Sequence, residues 1–83
     1  MLVPQEFLDS LYDSEMNLVD AVRAELASGY SDFEATASRH AEEGFIDGMR
    51  HAYTLLTGDI LIGDNASEII DATIALVKEE EGE

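Results

Sequence analysis

The sequence has no cysteine and no tryptophan, one proline, and only four basic residues in 83 positions. The absence of cysteine excludes disulfides and thiolate metal sites and leaves the redox compartment undetermined. The scarcity of lysine and arginine argues against direct binding of nucleic acid or anionic membranes, because either partner requires cations to neutralise phosphate. Long hydrophobic runs are also missing, so no segment is predicted to span a bilayer.

Signals for targeting and for catalysis are equally scarce. The start of the chain, Met1–Glu6, lacks the basic flank and long apolar stretch of a secretory signal. We therefore expect a soluble, cytoplasmic protein. No glycine-rich phosphate loop and no serine in a glycine elbow is present. We accordingly expect no enzymatic activity and no cofactor.

Negative charge is the abundant property of this chain. Nineteen Asp and Glu against four Lys and Arg give a formal net charge of −15, with Lys78 the only lysine. Such an excess repels itself and lowers the stability of the compact state, an effect that salt relieves. A basic protein surface is the natural counterpart, whereas solubility or adaptation to high salt would explain the same composition without any partner.

The apolar pattern predicts an all-α fold in one small domain, residues 1–83. Residues spaced by three and four indicate helices at about 4–28 and 32–57, which a short connection should join as a long antiparallel hairpin. A third, C-terminal helix is predicted at about 66–79. The acidic residues 79–83 oppose the helix dipole and are predicted to fray as a tail.

Local signals place the helix ends. Gly29 is predicted to close the first helix in the left-handed conformation. Ser31 and Glu34 have the spacing of a capping box for the second helix, and Asn65 with Glu68 has it for the third. The short apolar segment 60–62 is expected to tuck beneath the hairpin.

Small residues mark one side of the second helix. Gly44 and Gly48 each cost about 1 kcal/mol relative to alanine in a helix interior, which indicates close approach by another backbone. We predict that this side faces the core; its members are Phe33, Ala37, Ala41, Gly44, Phe45, Gly48, Met49, Ala52 and Leu56. The same Gly44–Gly48 seam is alternatively an oligomer contact with a second copy of the chain.

A polar row on the second helix admits two interpretations. His40, Glu43, Asp47 and His51 are spaced by three, four and four, and imidazole with carboxylate at such spacing suits a divalent metal. The ordinary explanation is a solvated face with the pairs Arg39–Glu43 and Asp47–His51. No metal site is assigned from the sequence, and the choice remains open.

One segment resembles a known enzyme family. Glu68-Ile69-Ile70-Asp71, preceded by Glu42-Glu43, is similar to the all-α nucleoside triphosphate pyrophosphohydrolases. That family holds magnesium at a triphosphate with E-x-x-E on one helix and E-x-x-D on a later one. The second motif matches here, whereas Ile46 stands three residues after Glu43, where the first motif requires an acid. The resemblance implies, as one alternative, a magnesium-dependent pyrophosphohydrolase.

Rows of acids on the helices lead to the principal hypothesis. Carboxylates three or four residues apart lie about 5–6 Å from one another, comparable with phosphates along a nucleic-acid strand. We expect a small acidic interaction module that inhibits a partner by occupying its basic nucleic-acid-binding surface, as a DNA mimic does. The residues expected to bind are Glu6, Asp9, Asp13 and Asp20 on the first helix and Glu34, Glu42, Glu43 and Asp47 on the second.

The size and charge are those of proteins with which phages and mobile elements inhibit host defence, including CRISPR systems, or host transcription. If a phage encodes the chain, it would act in the host cytoplasm. The competing class is a homo-oligomeric assembly module, such as a homodimer, with an acidic surface that only solvates the product or suits a halophile.

Overall fold

The computed structural model describes residues 3–82. The chain folds into α1 (Gln5–Ala27), α2 (Phe33–Thr57) and α3 (Ala66–Glu81), and these residues include no β-strand. The prediction of an all-α domain, with a long hairpin and a C-terminal helix, is confirmed. α3 packs mainly against α1 and touches α2 much less. Between residues 3 and 82, no helix combines the length and the hydrophobicity needed to cross a bilayer.

The core lies where the three helices meet. Leu18 of α1 and Ile46 of α2 are completely buried at its centre. Leu11, Val22 and Ile69 complete the buried cluster together with the first residue of α3, Ala66. α1 and α3 therefore bury the faces that their apolar spacing predicts.

The turn between α1 and α2 is built as the sequence predicts. Gly29 adopts a left-handed φ of 62°, and Tyr30 follows with a φ of 67°. The amide of Tyr30 donates to the Glu25 carbonyl at 2.7 Å, and that of Gly29 donates to the Leu26 carbonyl at 3.2 Å. This pair of bonds is a Schellman motif, which satisfies the last carbonyls of α1 and reverses the chain direction.

One of the two predicted capping boxes forms. At α3 the Asn65 side chain accepts from the Glu68 amide at 2.9 Å, and the Glu68 carboxylate accepts from the Asn65 amide at 3.1 Å. The predicted Ser31–Glu34 box at α2 is wrong, because the N-cap is Asp32, whose side chain accepts from Ala35. Ser31 instead donates its hydroxyl to the Ser28 carbonyl at 2.7 Å, within the turn.

The predicted inward surface of α2 is wrong for most of its residues. Phe33 is 84% exposed and Leu56 is 52% exposed, whereas Ile46 is completely buried. The predicted residues that face solvent are Phe33, Ala37, Ala41, Gly44, Phe45, Gly48 and Leu56, and only Met49 and Ala52 are half-buried. Compared with the prediction, α2 is rotated about its own axis, because the side that packs against α1 carries polar residues that form hydrogen bonds with α1. The spacing of apolar residues does not reveal these bonds.

Two further expectations are corrected. In the 60–62 segment only Leu61 packs against the core, since Ile60 is 82% exposed and Ile62 is 96% exposed. Arg50 holds this loop by donating to the carbonyls of Leu61 and Gly63 at 2.6 and 2.9 Å. The expected frayed tail is helical through Glu81, where Arg23 of α1 pairs with Glu80 at 3.0 Å. Position 83 of that tail lies outside the described residues.

Candidate acidic interface

The arginines form their ion pairs and hydrogen bonds with groups other than the four acids predicted to bind on the first helix. Arg23 pairs with Glu80 on α3, Arg39 with Glu25 and Glu43, and Arg50 binds loop carbonyls. Lys78, the fourth basic residue, is exposed on α3. Three of the four cations are thus committed to holding the fold together, and the surface charge of α1 stays largely uncompensated.

The four acids predicted to bind on α1 are all exposed: Glu6, Asp9, Asp13 and Asp20. Helical periodicity places them on the side of α1 that faces away from Leu18 and the core. The Asp9 carboxylate accepts a hydrogen bond from the side-chain amide of Gln5 at 3.0 Å. None of the four forms an ion pair with any residue between 3 and 82. They form an acidic face that is open to an external partner.

The four acids predicted to bind on α2 differ in exposure and in their bonding partners. Glu34 and Asp47 are exposed, whereas Glu42 and Glu43 are half-buried. Glu42 accepts a hydrogen bond from the Ser14 hydroxyl across the α1–α2 contact. Glu43 lies 3.3 Å from a guanidinium nitrogen of Arg39, which confirms that predicted pair. The structure therefore brings Glu34 and Glu42 towards the acids of α1 and directs Glu43 to the arginine.

Two adjoining depressions run along the contact between α1 and α2. The first, about 430 Å³, is lined among others by Asn17, Asp20 and Glu34, and the second, about 380 Å³, by Asp13 and Phe45. They share Asn17 and Glu42, so we treat them as one feature, the acidic groove. Among residues 3–82 no basic side chain lines it, and its carboxylates are Asp13, Asp20, Asp32, Glu34 and Glu42.

The acidic groove gathers acids that the linear sequence does not place together. Asp32 was missed as a site residue, and its signal was its N-cap position beside Glu34 at the start of α2. Glu6 and Asp9 continue the charge along α1, although they do not line the groove. A cleft lined by one sign of charge focuses its field into solvent, so the groove attracts cations more strongly than the same charges on a convex surface.

Glu15 lies apart from this groove and has a perturbed ionisation. Partial burial raises the pKa of its carboxyl; Arg50 opposes this shift, and Asp64 adds to it. At the other end of the molecule, a hydrogen bond from Arg23 lowers the pKa of Glu80. Both perturbations follow from contacts that hold the helices together, and neither group belongs to the acidic groove.

The polar row of α2 stays a solvated face in the structure. His40, Asp47 and His51 are exposed, and Glu43 bonds to Arg39. Within residues 3–82 no three His, Asp or Glu side chains are grouped so that they could hold a metal ion. Glu68 of the pyrophosphohydrolase-like motif is used in the α3 capping box, and with Asp71 it belongs to no such group.

A buried polar cluster was missed entirely at the level of sequence. Glu25 is only 1% exposed, accepting from Arg39 Nε at 2.5 Å and from the Thr36 hydroxyl at 2.9 Å. The available signal was its position on the apolar side of α1, between Val22 and Leu26. A cavity of about 130 Å³ adjoins it, lined also by Tyr30 and by Ile70 and Ile74 of α3. This cluster sets the rotation of α2 against α1.

Comparison of the chain with protein families, with curated proteins and with solved structures gave no significant match. The functional argument therefore depends on the geometry and charge described above.

Proposed function

We propose that this protein is a small acidic interaction module whose acidic groove and adjoining α1 face bind the basic, nucleic-acid-binding surface of a partner protein. In this proposal the protein acts by occupying that surface, as a DNA mimic does, and performs no chemistry of its own. The mode of action is inhibition of a nucleic-acid-binding partner, of the kind that phage or mobile-element proteins exert on host defence or transcription.

The observation that carries the proposal is that the charged side chains lining the acidic groove are all negative. In the described part of the chain its lining combines five carboxylates with no basic residue, although the domain has three arginines that could have neutralised it. Folding alone does not require this arrangement, because grouping like charges lowers the stability of the compact state. A cationic partner would relieve the repulsion and would be attracted at long range, with an association rate that falls as salt is added.

The test compares two variants that lose equal charge from different places. The groove variant is Asp13→Asn, Asp20→Asn and Glu34→Gln, and the control variant is Asp59→Asn, Asp71→Asn and Glu79→Gln. All six positions are exposed, so both variants should fold. Each changes the net charge from −15 to −12, the three lost carboxylates being subtracted from the formal charge.

The measurement is quantitative affinity capture from cell extract with immobilised wild type and both variants, in the presence and absence of competing duplex DNA. We expect the wild type and the control variant to capture the same nucleic-acid-binding proteins in similar amounts. The groove variant should capture at least about tenfold less of them, and duplex DNA should displace them from the wild type. Captured proteins should dissociate between about 50 and 200 mM salt. Equal capture by the two variants, or capture that duplex DNA does not compete, would contradict the proposal.

A further inference from the structure

The second depression of the acidic groove has an aromatic wall. Phe45 of α2 lines it, three residues after Glu42 on the same helix. Asp13 lines it from α1. Phe45 is 49% exposed, although its side chain is large and apolar. The residue therefore presents aromatic surface inside a groove whose charged residues are all negative.

Phe45 has no part in the hydrophobic core. Among residues 3–82, the core and the partly buried residues packed against it include its neighbours on α2, Ile46 and Met49, but not Phe45. An exposed apolar side chain in a concave site, unlike one on a convex surface, can be covered by a ligand on several sides. Folding therefore leaves the ring of Phe45 available to a partner.

Two carboxylates accompany the ring in this depression. Glu42 accepts a hydrogen bond from the Ser14 hydroxyl, and Ser14 is only 3% exposed, so a buried group of α1 orients this acid. Asp13 is exposed and forms no ion pair with any residue between 3 and 82. One acid is thus held in place and the other is free to pair with a cation from outside.

An aromatic ring beside carboxylates distinguishes between the two basic side chains. The face of a ring attracts cations because its quadrupole is negative there. A guanidinium is planar and weakly hydrated, so it stacks on the ring while its N–H groups donate to a carboxylate. A lysine ammonium is a compact, strongly hydrated charge that cannot stack in this way. The combination therefore suits arginine better than lysine.

The size of the depression is compatible with such a side chain. Its volume of about 380 Å³ lies at the lower end of the range of ligand pockets, ~300–1,000 Å³. The first depression differs in its lining, since no aromatic residue from the described part of the chain contributes to it. Its acids attract either basic side chain by charge, and the ring is confined to the second depression.

We propose that the second depression is an arginine pocket, formed by Asp13, Ser14, Glu42 and Phe45, which binds an arginine side chain on the basic surface of the partner. The guanidinium stacks on Phe45 and donates hydrogen bonds to Asp13 and Glu42. This inference rests on the proposed function. It adds that the partner is recognised by the shape of its cations as well as by their charge.

Binding of two synthetic peptides to the full chain, followed by fluorescence anisotropy, tests the pocket. The peptides share one sequence and one net charge, and their basic positions are all arginine in one and all lysine in the other. At about 50 mM NaCl, where the Debye length is about 14 Å, we expect both to bind. The arginine peptide should bind at least about fivefold more tightly. Equal affinities, or no binding of either peptide, would overturn the pocket.

A matched pair of substitutions assigns the preference to the ring. Phe45→Leu keeps an apolar side chain and removes the aromatic ring, and Phe33→Leu makes the same change at an exposed residue of α2 outside the groove. Phe45→Leu should lower the ratio of the two peptide affinities at least about threefold, whereas Phe33→Leu should change it less than about twofold. Far-UV circular dichroism checks that both variants fold. An unchanged ratio in Phe45→Leu would overturn the role of the ring.

The acid of the pocket supplies a second readout. Asp13→Asn should weaken the arginine peptide at least about threefold more than Asp71→Asn does, since Asp71 has the same charge at an exposed position of α3. Equal effects of these two substitutions would overturn the contact with Asp13. The proposed function fails in a different measurement, namely equal capture from cell extract by the groove and control variants. If the groove variant loses its captured proteins but Phe45→Leu leaves the peptide ratio unchanged, only the arginine pocket is wrong.

Discussion

Nε of Arg39 on α2 lies 2.5 Å from Oε1 of Glu25 on α1, and the glutamate is almost completely buried. The Thr36 hydroxyl donates to the other carboxylate oxygen at 2.9 Å. Among the described residues no buried side-chain nitrogen or oxygen lacks a hydrogen-bond partner. A buried carboxylate needs such compensation because its desolvation is costly. This pair therefore fixes which side of α2 meets α1.

Removing Arg39 should destabilise the domain more than removing the charge of its exposed partner Glu43. Arg39→Met leaves the Glu25 carboxylate buried without its cation, and we expect a loss of about 3 kcal/mol in the free energy of unfolding, measured by urea denaturation. Glu43→Gln is the control, since that side chain is 34% exposed and its pair should contribute less than about 1 kcal/mol. The double variant Glu25→Leu/Arg39→Met should recover most of the loss. Equal effects of Arg39→Met and Glu43→Gln would show that the buried pair does not govern stability.

The N-cap of α2 is Asp32 in the structure, whereas the sequence pattern predicts a capping box of Ser31 and Glu34. The Asp32 side chain accepts from the Ala35 amide at 3.1 Å, so Asp32→Ala should lower the free energy of unfolding by about 1 kcal/mol. Ser31→Ala, one residue earlier, removes only a hydroxyl bonded within the exposed turn and should change it by less than about 0.5 kcal/mol. Thermal unfolding of both variants under one buffer condition measures the difference. A larger loss of stability for Ser31→Ala than for Asp32→Ala would contradict the Asp32 cap and support the predicted capping box.

Glu15 should make stability fall as pH rises. Burial raises the pKa of its carboxyl in the folded chain above the ordinary value of 4.5, so the folded state holds this proton to higher pH than the unfolded state does. The stability contribution of Glu15 is therefore lost as pH rises from about 4.5 through the folded pKa. Glu15→Gln should raise the melting temperature at pH 7 and have no such effect near pH 3.

The control for that experiment is Glu6→Gln, which removes the same charge from an exposed position. It corrects for the general relief of self-repulsion in a chain with a net charge of −15. The measurement is a series of melting curves between about pH 3 and 7 for the wild type and both variants. An identical pH profile for the two variants would show that burial of Glu15 is not the cause.

The helices and most of their ends could be predicted because they depend on local interactions. Apolar residues three and four apart define the buried faces of α1 and α3 around Leu18 and Ile69. Gly29 adopts the left-handed conformation that its position indicates, and Asn65 with Glu68 forms the capping box. Each of these features involves residues within one turn of one another, so the chain specifies them without reference to the remaining fold.

Which side of α2 packs against α1 is decided by the tertiary structure. Its small and apolar residues form a stripe as regular as a buried face, yet the side that packs contains Ile46 and the polar residues Arg39 and Glu42. Their partners, Glu25 and Ser14, lie 14 and 28 residues away in sequence. No local pattern reports such distant bonds, so neither the exposure of the small residues of α2 nor the joining of acids from two helices into one groove could be predicted. The sequence by itself determined three helices and a large negative charge. Only their packing decided where the charge gathers and which apolar surface remains open, because the buried Glu25 carboxylate must be compensated by a residue from another helix.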